Sequence, residues 1–278
     1  MPALLHRDCS LHYDVRGSGP PVVFIQGVGL HGAGWTPQID ELAAHFACLS
    51  FDNRGMGQSL PASRGLTVEQ MADDAIALMD ALGWTSAHIV GHSLGGLVAL
   101  QLGLSHRSRV KSLALLCTFA DGASAAPLTW RMMWVGLGTR VGTRRMRRRS
   151  FLRLVMPPAM LEHADTDALA ATLAPLFGHD LADQPDIVNA QLKAMRQART
   201  SDELGQLAGL PTLVVSASHD PIAPPTLGRV IAAGIAGARH VELSHASHGV
   251  TIHSASEINR LLYDHFVSVG QRATDVQA

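Results

Sequence analysis

Residues 87–104, AHIVGHSLGGLVALQLGL, change texture twice. Ala87–Val90 is a short apolar run, too brief for a globular helix and suited to a buried strand. Leu94–Leu104 is small and apolar on every side, which predicts a helix packed deep in a core. Between them stands Gly91-His92-Ser93-Leu94-Gly95. Glycines two positions either side of Ser93 permit a tight strand-to-helix turn that projects the Ser93 hydroxyl above the sheet. The helix then begins directly under that hydroxyl. Its first turn carries partial positive charge, and the Leu94 backbone N–H can donate to an oxyanion forming there. In the plainer alternative Gly91, Gly95 and Gly96 only permit close packing and Ser93 only caps the helix. That alternative leaves the later part of the chain unexplained.

Outward from this turn the alternation repeats. Pro21–Gln26, Ala47–Phe51, Ser112–Cys117, Thr212–Ser216 and His240–Leu243 are further strand candidates, with Leu11–Val15 preceding them in a hairpin. Thr67–Leu82 places Val68, Met71, Ala75, Leu78, Met79 and Leu82 on one helical face. Ala255–Val267 does the same with Ile258, Leu261, Leu262, His265 and Phe266. Short strands alternating with helices predict an α/β fold whose mostly parallel central sheet is flanked by helices. The alternation lapses after Cys117 and resumes at Pro211. Residues 121–207 therefore read as a helical cap inserted into a core domain formed by residues 1–120 and 208–278. A cap between two strands covers the carboxyl ends of the sheet, where open α/β sheets bind ligands. Substrate choice is expected to lie mainly there.

A hydroxyl is a weak nucleophile near neutral pH. Ser93 needs a base, and the base needs a carboxylate to hold its tautomer and stabilise its charged form. The segments TLVVSASHDPIAPP (212–225) and HVELSHASHGVTIH (240–253) supply both types of group on loops after strands. His245 and His248 compete for the base, and Asp121, after SLALLC, competes with Asp220 for the acid. His92 and His219, each beside a candidate, read as loop-packing residues.

Together these motifs resemble the α/β-hydrolase superfamily from Leu11 to about Val267, the cap excepted, and most closely its small esterase and lactonase-like members. The resemblance implies an α/β-hydrolase fold of about eight strands with the cap inserted after the sixth. It implies an acid at Asp220, in the Asp-Pro that ends the loop after TLVVS, and a base at His248, one short loop before the last helix. Gly249 then leaves room for a mobile imidazole. A second oxyanion donor is expected in Ile25-Gln26-Gly27-Val28-Gly29, at the Val28 N–H, to act with that of Leu94. Many relatives carry His-Gly where this chain has Gln26-Gly27, a change that keeps the backbone donor and alters the side-chain bonding beneath it. Asp52-Asn53-Arg54-Gly55-Met56-Gly57-Gln58-Ser59 resembles the superfamily's D-x-R-G-x-G-x-S turn, with Asp52 and Arg54 satisfying loop backbone and each other.

The implied activity is carboxylic ester hydrolysis through an acyl-enzyme, on a small-molecule ester or lactone, with no metal or organic cofactor. A lactonase such as an enol-lactone hydrolase, a C–C hydrolase and a perhydrolase share the machinery. Ser93 sets the chain apart from haloalkane dehalogenases and epoxide hydrolases, which use aspartate at this turn. A slow-turnover ligand receptor or regulatory protein is the reading from another class.

Composition narrows the rest. With 278 residues, 47% of them hydrophobic, the chain can bury a substantial core. A formal charge of −1 supplies no global field for nucleic acid or membranes. Seven arginines between Arg140 and Arg153, interleaved with Val141, Met146, Phe151, Leu152, Leu154 and Val155, read as an amphipathic cap helix with a solvated basic face. Trp130, Met132, Met133, Trp134, Met156 and Met160 read as cap core, a few of them lining an acyl pocket. His6, Arg7 and Asp8 interrupt the N-terminal apolar stretch, and no run of about 18 apolar residues occurs. Cys9, Cys48 and Cys117 lack paired spacing and read as buried thiols. These features predict a cytoplasmic monomer or homodimer without a membrane span.

Overall fold

The computed structural model describes residues 2–61, 65–125 and 130–275, without the side chains of residues 130–133 and 272–275. Its sheet follows from strand sequences apolar on both faces. In β3 (Pro21–Ile25), Val22 and Phe24 join one core cluster while Val23 and Ile25 join the other, and all four are fully buried. Such a strand is stable only with helices on either side.

Chain order runs β1 (Ala3–His6), β2 (Cys9–Arg16), β3, α1 (Thr36–Leu42), β4 (Ala47–Phe51), α2 (Val68–Ala81), β5 (Ala87–His92), α3 (Leu94–Ser105) and β6 (Val110–Leu116). The insertion then carries α4 (Trp130–Gly138), α5 (Arg144–Val155), α6 (Pro158–Leu161), α7 (Thr166–Phe177) and α8 (Val188–Gln197). The core resumes with β7 (Thr212–Ala217), α9 (Pro225–Gly234), β8 (Arg239–Leu243), α10 (Val250–His253) and α11 (Ala255–Asp275). Among the described residues eight strands form one sheet in the order β1-β2-β4-β3-β5-β6-β7-β8. β1 and β2 pair antiparallel, as do β2 and β4, and the remaining pairs are parallel. Helices α2, α3 and α9 cover one face, and α1 and α11 the other.

The hairpin arm predicted at Leu11–Val15 lies within β2, and its partner is β1, which the sequence pattern does not mark. β1 alternates exposed and half-buried residues and leaves Leu5 in solvent, so no buried apolar run marks it. Thr67 caps α2 rather than joining it, its hydroxyl accepting from Gln70 N–H at 3.1 Å. Leu82 is the corresponding C-terminal cap.

The insertion leaves and rejoins the core at one point. Thr200 donates from N and Oγ1 to Ala120 O at 3.2 and 2.6 Å, and Asp121 Oδ1 accepts from Thr200 and Ser201 N–H at 3.1 and 3.2 Å. Within the insertion Leu152, Val155, Met156, Ala170, Leu173, Phe177 and Leu181 make a separate apolar cluster. The basic side is solvated as expected at Arg140, Arg144, Arg145, Arg149 and Arg153, which are exposed, while Arg147 and Arg148 are half-buried. Arg144 pairs with Asp180 and Asp183, and Arg148 with Asp180 and Asp167, so acids of the same insertion meet the basic side of α5. Val141 and Met146, expected on its apolar side, are exposed, as are Trp134 and Met160, whereas Met156 is buried. The side chains of Trp130, Met132 and Met133 lie outside the described residues.

Candidate active site

β5 runs directly into Ser93, which holds φ 55° and ψ −118° before α3 begins. A Cβ on Gly91 would lie 2.2 Å from Gly95 O, and one on Gly95 would lie 2.0 Å from Ile25 O. Only glycine fits at either place, so the G-x-S-x-G spacing is a steric requirement of the turn. Ser93 N donates to Leu116 O at 3.0 Å, and Thr118 Oγ1 donates to Ser93 O at 2.6 Å. These bonds hold a strained backbone in place.

Two loops from the far half of the sheet converge on this serine. His248 Nε2 lies 3.1 Å from Ser93 Oγ, and His248 Nδ1 lies 2.8 Å from Asp220 Oδ2. A carboxylate accepts, so Nδ1 carries the proton and Nε2 presents its lone pair to the Ser93 hydroxyl. Asp220 Oδ1 accepts from the N–H groups of Ile222 and Ala223, both at 2.8 Å. Burial by itself raises the Asp220 pKa. The adjoining His248 and the two N–H donors outweigh it and hold the carboxyl below its ordinary value. The Cys117 thiol lies against the same carboxylate, and burial together with that charge pushes it well up.

The backbone of His248 is anchored on three sides. His92 Nε2 donates to His248 O at 2.8 Å, Gly249 N–H donates to Val155 O at 2.7 Å, and Ser247 N–H donates to His253 Nε2 at 3.2 Å. Burial, and secondarily the neighbouring His248, push His92 down to about 3, so its ring is neutral and its Nε2 is the donor. His92 thus does more than pack the loop. A Cβ on Gly249 would lie 2.6 Å from Val155 O, so this glycine admits the end of α5 rather than leaving space for imidazole motion.

The rival residues lie elsewhere. His245 is 63% exposed and faces Glu257 at 3.4 Å. Asp121 serves the neck of the insertion, and the exposed His219 lends its carbonyl to Ser247 Oγ at 3.1 Å. Asp52 accepts from Gly32 and Gln58 N–H, while Arg54 grips the buried Asp74 through Nε and Nη2, a partner missing from the sequence reading.

Beside Ser93 runs the loop after β3. A Cβ on Gly27 would lie 3.2 Å from Ser93 Cβ, which brings the Gly27–Val28 peptide next to the serine. Gln26 Oε1 accepts from Gly27 N–H at 3.1 Å, and Asn53 Nδ2 donates to Gln26 O at 3.1 Å. Among the described residues the N–H groups of Val28 and Leu94 meet no acceptor.

Above the serine opens a cavity of about 990 Å³. Ser93, His92, His248 and Val28 form its floor, and Leu137, Phe151, Leu154, Phe177, Leu192 and Met195 are among its apolar walls. Among the described residues no group of three or more His, Cys, Asp or Glu could hold a metal ion. No helix there is long and apolar enough to cross a membrane.

Known proteins resemble this chain in sequence and in fold. A relative from Variovorax paradoxus (strain S110), named provisionally as carbamate hydrolase RutD, is 32% identical over 267 residues, covering 93% of this chain and 97% of its own. The enol-lactonase from Burkholderia xenovorans LB400 superposes with a TM-score of 0.81 at 28% identity, over 96% of this chain and 100% of that one. A hydrolase from Pseudomonas aeruginosa PA01 gives 0.80 at 26% identity, over 95% and 97%. The family profile described as alpha/beta hydrolase fold matches residues 20–254. Spanning β3 to α10 and the serine turn between them, that match places the chain in the α/β-hydrolase fold family.

Proposed function

We propose that the protein is a serine hydrolase of carboxylic esters in which Ser93 is the nucleophile, His248 the general base and Asp220 the residue that orients His248. The observation that carries this reading is the hydrogen-bonded series Ser93–His248–Asp220 at the floor of a largely apolar cavity. Ser93 Oγ attacks the ester carbonyl as its proton passes to His248 Nε2. The imidazolium that forms is stabilised by Asp220. Val28 and Leu94 N–H groups donate to the tetrahedral oxyanion, each such donor being worth about 10²–10³ in kcat in acyl-transfer sites. Collapse of the intermediate returns the proton to the departing alcohol and leaves an acyl-Ser93 ester. Water, deprotonated by His248, then releases the acid.

Lactone opening is the second reading, favoured by the likeness to the Burkholderia xenovorans enol-lactonase. The steps are the same, except that the leaving alcohol stays tethered to the acyl group.

Hydrolysis of p-nitrophenyl esters from short to long acyl chains tests the proposal, with fluorophosphonate labelling as a control. Wild-type turnover and labelling that both vanish in Ser93→Ala are expected, with kcat/KM rising with chain length until the cavity is filled. Turnover that persists in Ser93→Ala overturns the assignment. Labelling with a single slow turnover on every ester and lactone favours the ligand-receptor reading instead.

A further inference from the structure

The oxyanion loop is anchored from two directions. On the core side, the Gln26–Gly27 peptide is fixed at both its polar atoms, by Asn53 Nδ2 on its carbonyl and by Gln26 Oε1 on its N–H. On the other side the anchors belong to the insertion. Gly29 N–H donates to Gln191 Oε1 of α8 at 2.8 Å, and Gly29 O lies 2.9 Å from Nε2 of His179, just after α7; Nδ1 of that ring lies 2.9 Å from Asp180 O, so the bond to Gly29 belongs to the Nε2–H tautomer. Helix α8 lies so close that a Cβ on Gly29 would meet Val188 Cγ2 at 3.1 Å. Gln191 is fully buried, and its Nε2 has no hydrogen-bond partner among the described residues. A buried amide left half-satisfied is unfavourable, yet its oxygen is committed to this one loop N–H.

Peptide units are planar, so a chain segment is oriented when the planes on either side of it are fixed. The Gly27–Val28 peptide, which carries the Val28 N–H beside Ser93, hangs between the core-held plane before it and the two insertion-held planes after it. We propose that Gln191 and His179 are positioning residues for catalysis, and that the insertion completes the oxyanion hole by fixing the Val28 N–H through Gly29. This goes beyond substrate selection by the cap. It rests on the reading of Val28 as oxyanion donor in a Ser93 hydrolase.

A donor that is already oriented stabilises the oxyanion without reorganising, whereas one free to rotate loses that advantage chiefly in the transition state. Removing an anchor therefore lowers kcat and leaves KM nearly unchanged. The test uses the full chain with p-nitrophenyl butyrate as substrate and 1-butaneboronic acid as the tetrahedral adduct former. Gln191→Met keeps the length of the side chain and removes the acceptor. It is expected to lower kcat about 10- to 100-fold with KM within about twofold, and to raise the boronate inhibition constant in parallel. Gln191→Glu, which keeps an acceptor oxygen, recovers much of the loss. His179→Leu reproduces the effect and His179→Gln, which keeps a donor, reverses it. This second pair carries the test if circular dichroism shows Gln191→Met unfolded.

Two outcomes overturn the proposal alone while wild-type fluorophosphonate labelling of Ser93 stands. One is unchanged kcat in both Gln191→Met and His179→Leu. The other is a loss of activity in which the boronate constant stays fixed, which assigns the pair a structural role. A wild type whose Ser93 is not labelled overturns the underlying hydrolase reading, and the proposal with it.

Discussion

Asp220 keeps its charge in a place that burial alone would make unfavourable, because His248 and two backbone N–H groups converge on it. Asp220→Asn preserves the shape but offers an amide that can donate to Nδ1 and so favours the wrong imidazole tautomer. Its kcat is expected to fall by roughly 10³–10⁴-fold with little change in KM, measured by steady-state ester hydrolysis. A loss below tenfold would show that another group orients His248. Ser93 was legible in the sequence because the steric demands of its turn are local, written within five residues. The choice of His248 over His245 was less so. They stand three positions apart on one loop, and only the path of that loop decides which ring reaches Ser93 and which reaches Glu257. The contacts of His92 and Cys117 are not legible locally, since the carbonyl and carboxylate they touch come from more than 100 residues away in the chain.

At the scale of elements, the end of α5 is docked against the loop that carries His248. Gly249→Ala would drive a methyl group into Val155 O, and one of the two backbones must move. The expected result is a severalfold drop in ester turnover, together with faster amide hydrogen exchange at Gly249 and in α5 while the sheet stays protected. Unchanged exchange in α5 would show that the loop, not the helix, yields. Strands and core helices were legible because their periodicity is set by two buried faces. The insertion was legible only as helical. What its helices meet depends on pairings such as Gly29 with Gln191, which no local pattern encodes. The exposed alternation of β1 hid that strand for the opposite reason, since it buries too little.

Across the whole molecule, the arginines of α5 link α5 to α7 and the segment after it. Hydrogen bonds from Arg148, then Ala182 N–H and Arg144, hold Asp180 well below its ordinary value of 3.8. A depressed native pKa means that the ionised form favours folding. The stabilisation is complete above 3.8 and is lost as pH falls below it toward the native value. Thermal melts of wild type and Arg148→Gln should therefore differ by a constant margin above that pH and converge below it. Added salt narrows the margin at every pH, because the pairs are partly exposed. A margin indifferent to both would remove these pairs from the account of stability. The neck at Ala120, Asp121 and Thr200 has an evolutionary consequence. An insertion that enters and leaves through adjoining strands of chain is interchangeable in principle, so descent could swap the roof of such an enzyme without redrawing its foundations. Gln191 and His179 set the terms of that exchange. A transplanted roof would bring new tastes in substrate, but a competent enzyme would result only where donor and host also agreed on how to grip Gly29.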